Sequence, residues 1–240
     1  MVSNIDLRCG DYREVLVDVE KFDALICDPP YSARTHEGAR TLRDGADNPI
    51  DFASWGTADC QSLADFARDR NPRWIFIMCD HILHGQHDFS WCSAFNTDDP
   101  PYAFPPLPII ADTCRMTGDG PAGIPAWAFV ARARTREMLS WGSLPAYYKD
   151  TTGAIKSRDA GIGGGKSIAM MRKIVCDYSR PGDLVCDPTA GAGTTAIACA
   201  LEGRRFVGAE IRPEIHAMAL GRIAKYTAQG DLFSSGSDDV

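Results

Sequence analysis

The sequence predicts an α/β fold: a Rossmann-like, doubly wound, mostly parallel sheet with an antiparallel hairpin at one edge. Three observations carry this. Apolar runs of strand length alternate with stretches of helical spacing over most of the 240 residues. Two of those runs, 24–27 and 184–186, stop abruptly, the first at Asp28-Pro29-Pro30-Tyr31 and the second at a glycine turn that opens a helix. Residues 127–134 have strand character and follow a turn-rich stretch, 113–123, which makes the hairpin.

In order, residues 5–9 alternate like a short strand, 12–20 have helical spacing, and 22–27 form the strand that enters Asp28. Residues 32–50 lack periodicity and read as a loop, while 51–70 recur as a helix and 74–78 as a buried strand. Strand, helix and strand in that order favour parallel pairing through a crossover. The Pro- and Gly-rich section 81–125 is expected to hold one short helix and an edge strand at 107–110. Residues 136–161 are polar and irregular, and 167–178 form an amphipathic helix closed by Pro181-Gly182. Strand 184–186, helix 193–202, strand 205–209 and helix 213–229 complete the chain.

With 45% hydrophobic and 24% charged residues, the composition suits one substantial core. We expect a single domain over 1–230, with variable loops 32–50, 81–125 and 137–162, and a flexible acidic tail 231–240. Without an apolar run near eighteen residues or a basic, then apolar, N-terminus, neither a membrane span nor a signal peptide is expected, which places the protein in the cytoplasm. The nine cysteines include no Cys-x-x-Cys pair and read as reduced core residues. Net charge is −7, yet residues 127–180 hold ten Lys or Arg against four Asp or Glu. A basic segment on an acidic body suits contact with phosphate, and equally a solvated face.

Asp28-Pro29-Pro30-Tyr31 is the stretch around which the chain is organised. Pro29 and Pro30 cannot extend a ladder and fix their own φ, so they form a stiff lip carrying one carboxylate, free carbonyls and an aromatic face. Asp28 and the Pro29 carbonyl are suited to accept the two hydrogens of an exocyclic amine, while Tyr31 stacks on its ring; a flipped nucleobase has that form. An ordinary turn after a strand would also read this way. The second strand end, Asp187-Pro188-Thr189-Ala190-Gly191-Ala192-Gly193-Thr194-Thr195, lets backbone approach a ligand at a helix N-terminus. Glu210 ends the next strand, where an acid is placed to hold ribose hydroxyls. Nicotinamide and S-adenosylmethionine sites share that arrangement; Ala196 stands where a dinucleotide fingerprint has its third glycine.

Together these motifs resemble the β class of S-adenosylmethionine-dependent DNA amino-methyltransferases, the adenine N6 and cytosine N4 family. Residues 187–195 resemble its Asp-Pro-Phe-Xaa-Gly-Ser-Gly-Thr-Thr signature, Glu210 its ribose-binding acid, and residues 28–31 its catalytic tetrapeptide. The Gly10-Asp11 pair resembles one that contacts the cofactor's adenine. The catalytic motif precedes the cofactor motif, the circularly permuted order of that class. The resemblance implies catalysis by Asp28, Pro29, Pro30 and Tyr31. It implies cofactor binding by Asp11, Lys166, Ser167, Asp187, Thr189, Ala190, Gly191, Gly193, Thr194, Thr195 and Glu210. S-adenosylmethionine is the expected cofactor and double-stranded DNA the expected partner, with no metal and no membrane; dimers in the class leave a homodimer open. The pattern departs at Gly163-Gly164-Gly165-Lys166-Ser167, where the family has His-Pro-Xaa-Xaa-Lys-Pro. Only residues 137–162 lie where a target-recognition insertion is expected.

The implied activity is methylation of an exocyclic amine in DNA, with adenine N6 first and cytosine N4 second, and with RNA or a protein amide as further acceptors. An oxidoreductase using nicotinamide would leave the lip without a role, and a catalytically dead DNA-binding relic is the third alternative. Three other patterns are weaker. Residues 160–167 fall one glycine short of a phosphate-binding loop and follow no strand. His81, His84 and His87 lack the usual zinc spacing. Arg132, Arg134 and Arg136 share a strand face that suits phosphate or a solvent edge.

Overall fold

The structure, a computed structural model, describes residues 4–33, 53–80, 82–86, 91–95, 101–111, 126–134, 142–150 and 165–234. Among the described residues, nine strands form one sheet: β1 (Ile5–Cys9), β2 (Ala24–Cys27), β3 (Trp74–Cys79), β4 (Tyr102–Ala103), β5 (Leu107–Ala111), β6 (Ala126–Arg132), β7 (Tyr148–Asp150), β8 (Leu184–Asp187) and β9 (Arg205–Glu210). Their order is β1-β9-β8-β2-β3-β6-β5-β7, with β4 also on β6. The first five are parallel, and β6 runs against β3, β4 and β5. This is the expected Rossmann-like sheet with its antiparallel hairpin; the hairpin's turn lies outside the described residues.

The central strands are apolar throughout because both faces are covered. In β3, Trp74, Phe76 and Met78 face one core, while Ile75, Ile77 and Cys79 face the other. The first core packs against α4 (Ile168–Tyr178), α5 (Thr194–Leu201) and α6 (Pro213–Ser234). Against the second lie α1 (Tyr12–Val15), α2 (Thr57–Arg70), a π-helical turn (Ile82–Gln86) and α3 (Trp91–Ala94). Cys27, Cys60, Cys79, Cys186 and Cys199 are free and buried in these layers. Among the described residues, no helix is long and apolar enough to cross a membrane.

Several expectations need correction. The helix from Tyr12 ends at Val15, and the helix expected from residue 51 starts at Thr57, where Asp59 accepts from the Gly56 N–H at 3.1 Å. Section 81–125 holds a π-helical turn, a short helix and two strand pieces along one edge of β6; Pro105 and Pro106, which lack N–H donors, separate the pieces. Pro108 is tolerated inside β5 because pairing with β7 begins only at Ile109. Strand β7 lies within the segment expected to be irregular. Its Tyr148 is buried against Phe76 and donates to Asp177 at 2.6 Å. The last helix continues to Ser234, past the boundary expected for the tail. Arg132 pairs in register with Trp74, the first residue of β3, and its guanidinium stacks on Tyr102 at 5.3 Å. That is the sheet edge opposite the strand ends at Asp28 and Asp187; Arg136 lies outside the described residues.

The two edges of the parallel sheet differ in chemistry. At the N-terminal edge, Arg73 bridges Asp23 at 3.3 Å and Asp183 at 2.6 Å, while Asp23 also accepts from the Leu184 N–H at 2.9 Å. These charges tie the starts of β2, β3 and β8 together. At the C-terminal edge the strands end in acids: Asp11 just beyond β1, then Glu210, Asp187, Asp28 and Asp80 across the sheet. Ligands bind such sheets at that edge, where the strand order reverses; here that point lies between β8 and β2.

One glycine holds this edge in register. A methyl added at Gly208 would meet the Asp187 carbonyl oxygen at 2.6 Å and the Phe206 ring at 2.5 Å. Backbone cannot yield there cheaply. Gly208→Ala is expected to cost about 2–3 kcal/mol, read as a lower urea midpoint with unchanged slope.

Candidate active site

Between these strand ends lies a cavity of about 300 Å³, within the size range of small-molecule sites. Of the residues singled out above, Asp11, Asp28, Pro29, Pro30, Tyr31, Lys166, Asp187, Thr189, Ala190, Gly191, Thr194, Thr195 and Glu210 line it. Ser167 and Gly193 do not. Ser167 is buried as the N-cap of α4 and accepts from the Met170 N–H at 3.2 Å. Gly193 caps α5 at φ 74°, a conformation that suits glycine, and its Cα faces Ala219 and Ile223 of α6. Both shape the wall from behind.

The lip is built as a unit. Tyr31 donates its hydroxyl to Asp28 Oδ1 at 3.0 Å, and Lys166 bonds to Asp28 Oδ2. Burial and the neighbouring Asp28 charge push the Tyr31 phenol well up, so it stays a proton donor. The backbone carbonyl of Tyr31 accepts from the Trp55 N–H at 3.1 Å, which ties the lip to the segment leading into α2. Beyond it, Ser32 donates its N–H to Asp80 at 3.0 Å, while the other Asp80 oxygen accepts from the Leu83 N–H at 2.9 Å. Asp80 is thereby a structural clasp.

Asp187 lies on the neighbouring strand, 2% exposed. It accepts from Thr195 Oγ1 at 2.7 Å and from the Thr189 N–H at 3.1 Å. Burial raises its pKa to about 7, the two threonines oppose the rise, and the charges of Asp28 and Glu210 add to it. Glu210 is held by the Arg212 N–H at 2.9 Å, with the Arg212 Nε at 3.7 Å. Asp11 caps α1, accepting from the Arg13 N–H at 2.9 Å, and its carboxylate is paired with the Arg13 guanidinium, which holds its pKa down. The glycine turn is fixed by the Ala190 N–H on the Ala209 carbonyl at 2.9 Å and, from α6, by the Arg222 guanidinium on the Ala192 carbonyl.

The sequence reading missed Tyr12, Arg13, Trp55, Asp59, Met171, Ile211 and Arg212, which complete the wall. Arg13 and Arg212 each stand two residues after an acid at adjacent strand ends, a repeated spacing that was visible. Trp55 and Asp59 gave no such signal, because their helix spacing is that of any amphipathic helix. His84 sits on the π-helical turn, and burial lowers its pKa; His81 and His87 lie outside the described residues. Among the described residues, no group of three His, Cys, Asp or Glu is arranged to hold a metal.

A doubly wound sheet with an acid-lined cavity at its switch point places that cavity where open α/β sheets bind ligands. Residues 157–221 match the family described as DNA methylase, N6_N4_Mtase. DNA adenine methyltransferase YhdJ of Escherichia coli K12 is 41% identical over 58 residues, which are 24% of this chain and 20% of that protein. The chain spans about a fifth of the length of the curated relatives it matches. A solved M1.HpyAVI–SAM complex superposes with a TM-score of 0.65 at 21% identity, over 91% of this chain and 98% of that one. The cytosine-N4-specific PvuII DNA methyltransferase superposes at 0.57 with 13% identity, over 98% and 94%. The family match thus covers residues 157–221, and the likeness to the solved structures is one of fold over most of the chain.

Proposed function

We propose that this chain transfers a methyl group from S-adenosylmethionine to the exocyclic amine of a base flipped out of double-stranded DNA, adenine N6 being the amine. One observation carries the proposal: the Asp28 lip and the Asp187 glycine turn end neighbouring parallel strands and open into one cavity, with Tyr31 bonded to Asp28. Asp28 and the Pro29 carbonyl accept the amine hydrogens and Tyr31 supplies the stacking face. An amine lone pair is shared with its ring; accepting both hydrogens favours the tetrahedral nitrogen, whose developing positive charge Asp28 then stabilises.

The cavity chemistry fits the cofactor. Glu210 would hold the ribose hydroxyls, the turn 189–191 would bring backbone close, and Asp11 would serve the adenine. When bound, the cofactor supplies an activated methyl on a sulfonium. The charges of Asp28 and Glu210 add to the cost of ionising the buried Asp187. A ligand bearing sulfonium and ammonium charges relieves that cost, whereas the pyrophosphate of a nicotinamide cofactor would increase it. This favours methyl transfer over hydride transfer.

The adenine reading rests on Asp at the first position of the lip and on the name of the Escherichia coli relative. Cytosine N4 is the second reading, motivated by the PvuII neighbour. Incubating the purified protein with labelled S-adenosylmethionine and unmodified genomic DNA, then identifying nucleosides by mass spectrometry, is expected to yield N6-methyladenine. N4-methylcytosine would replace the base and keep the mechanism. No methylated base despite cofactor binding would sink the DNA assignment.

A further inference from the structure

Lys166 touches both features on which methyl transfer depends. Its ammonium is bonded to Asp28 Oδ2, and the same Nζ stands 5.4 Å from the centroid of the Tyr31 ring. The two side chains are only 15% and 27% exposed, so this is not a loose surface pair. Since Asp28 Oδ1 already accepts from Tyr31, both the carboxylate and the aromatic face are engaged before any base arrives.

An amine donating to Asp28 seeks the oxygen that the ammonium holds, and its ring seeks the face that the ammonium covers. The ammonium, a cation facing a carboxylate, is the stronger competitor. Left in place, it would also oppose the positive charge that grows on the amine nitrogen. We infer that Lys166 is a built-in stand-in for the target amine, holding Asp28 and Tyr31 until the cofactor draws it away. The inference rests on the methyl-transfer reading and adds an order of binding to it, cofactor before base.

Charge says why the cofactor does this. Among the described residues, three cations line the cavity: Arg13, Arg212 and Lys166. Arg13 and Arg212 each pair with an acid two residues away in the same turn, Asp11 and Glu210. Lys166 pairs across elements, with a residue 138 positions away. Its flexible stem re-pairs without backbone movement. The cofactor's carboxylate is the anion entering this acid-lined cavity, and Lys166 is the cation placed to answer it.

The test uses the purified chain with two unreactive ligands: S-adenosylhomocysteine, and 5′-methylthioadenosine, which keeps the adenosine and sulfur but has no carboxylate. Lys166→Met and Lys166→Gln both preserve much of the stem, and thermal unfolding checks that each is folded. By calorimetry, both variants are expected to bind S-adenosylhomocysteine about tenfold more weakly and 5′-methylthioadenosine within about twofold of wild type. The second readout is fluorescence of duplex DNA carrying 2-aminopurine in place of adenine, which rises when the base leaves the stack. Wild type is expected to give a rise with S-adenosylhomocysteine alone; the variants are expected to give it with no ligand.

Equal loss of affinity for both ligands, or a wild-type rise without ligand, overturns the inference. So does the lack of any rise while S-adenosylhomocysteine binds, an outcome that leaves the cofactor reading standing. If wild type binds neither ligand, the methyl-transfer reading falls and takes the inference with it.

Discussion

Asp28→Ala is expected to lower methyl transfer by about a thousandfold, while affinity for S-adenosylmethionine changes less than about threefold. The asymmetry follows from position. Asp28 ends β2 on the lip, whereas Glu210 and the glycine turn end β9 and β8. Under the methyl-transfer reading, alanine removes the acceptor for the amine hydrogens and the charge that stabilises the nascent cation, but leaves the residues proposed to hold the ribose and the turn. It also leaves the Tyr31 hydroxyl and the Lys166 ammonium without their shared partner. Asp28→Asn separates the two effects, because the amide keeps one acceptor oxygen and loses the charge. It is expected to fall between wild type and alanine. Single-turnover transfer of labelled methyl to DNA measures this, with calorimetry for the cofactor. Activity of the alanine variant within tenfold of wild type would remove Asp28 from the mechanism.

Much of the site was legible because its signals are local. The strands at 24–27 and 74–79 are continuous apolar runs, and those that open at 184 and 205 are mainly apolar and end on an acid, Asp187 and Glu210. Such runs belong to strands buried on both faces, and the structure places a core on each side of them. What escaped depends on distant partners. Strand β7 spans three residues, with Tyr148 and Asp150 buried and Lys149 exposed. Alternation that short carries little signal, and the strand exists because Ile109–Ala111 and Asp177 await it. The pairing of Lys166 with Asp28 is of the same kind. Its lysine was visible at the start of a helix, but only the sheet order brings that helix to the lip. The helix at Tyr12 was overestimated for a related reason. Asp11 caps it well, yet Arg8 already reaches the Val15 carbonyl at 2.7 Å and the chain turns inward to bury Leu16.

Asp187 sets the second large effect, on stability rather than turnover. Its folded pKa of about 7 lies above the value near 3.9 of an unfolded Asp. Between those values the folded state binds more protons than the unfolded one, so stability falls as pH rises from about 4 to about 7 and levels off above that. The raised carboxyl is fully protonated in both states only below about pH 4, where its penalty vanishes. At pH 8 the penalty is complete, with an upper bound of about 4 kcal/mol, since each pH unit between the two pKa values contributes about 1.4 kcal/mol. Asp187→Asn keeps an acceptor for the Thr189 N–H, and the Thr195 hydroxyl can reverse its role and accept from the amide. The ligand-free variant is therefore expected to be more stable than wild type by about 2–4 kcal/mol at pH 8 and by much less at pH 4. Urea unfolding at both pH values measures it, and parallel pH profiles for the two proteins would rule it out. The penalty has a use under the methyl-transfer reading. A buried acid held ready to ionise, beside Asp28 and Glu210, gains most when a cationic ligand arrives. Wild type is thus expected to release a proton on binding S-adenosylmethionine near pH 6–7, seen as a dependence of the binding heat on buffer ionisation enthalpy, and Asp187→Asn to lose that dependence. The same acid that weakens the empty protein would strengthen its hold on the cofactor.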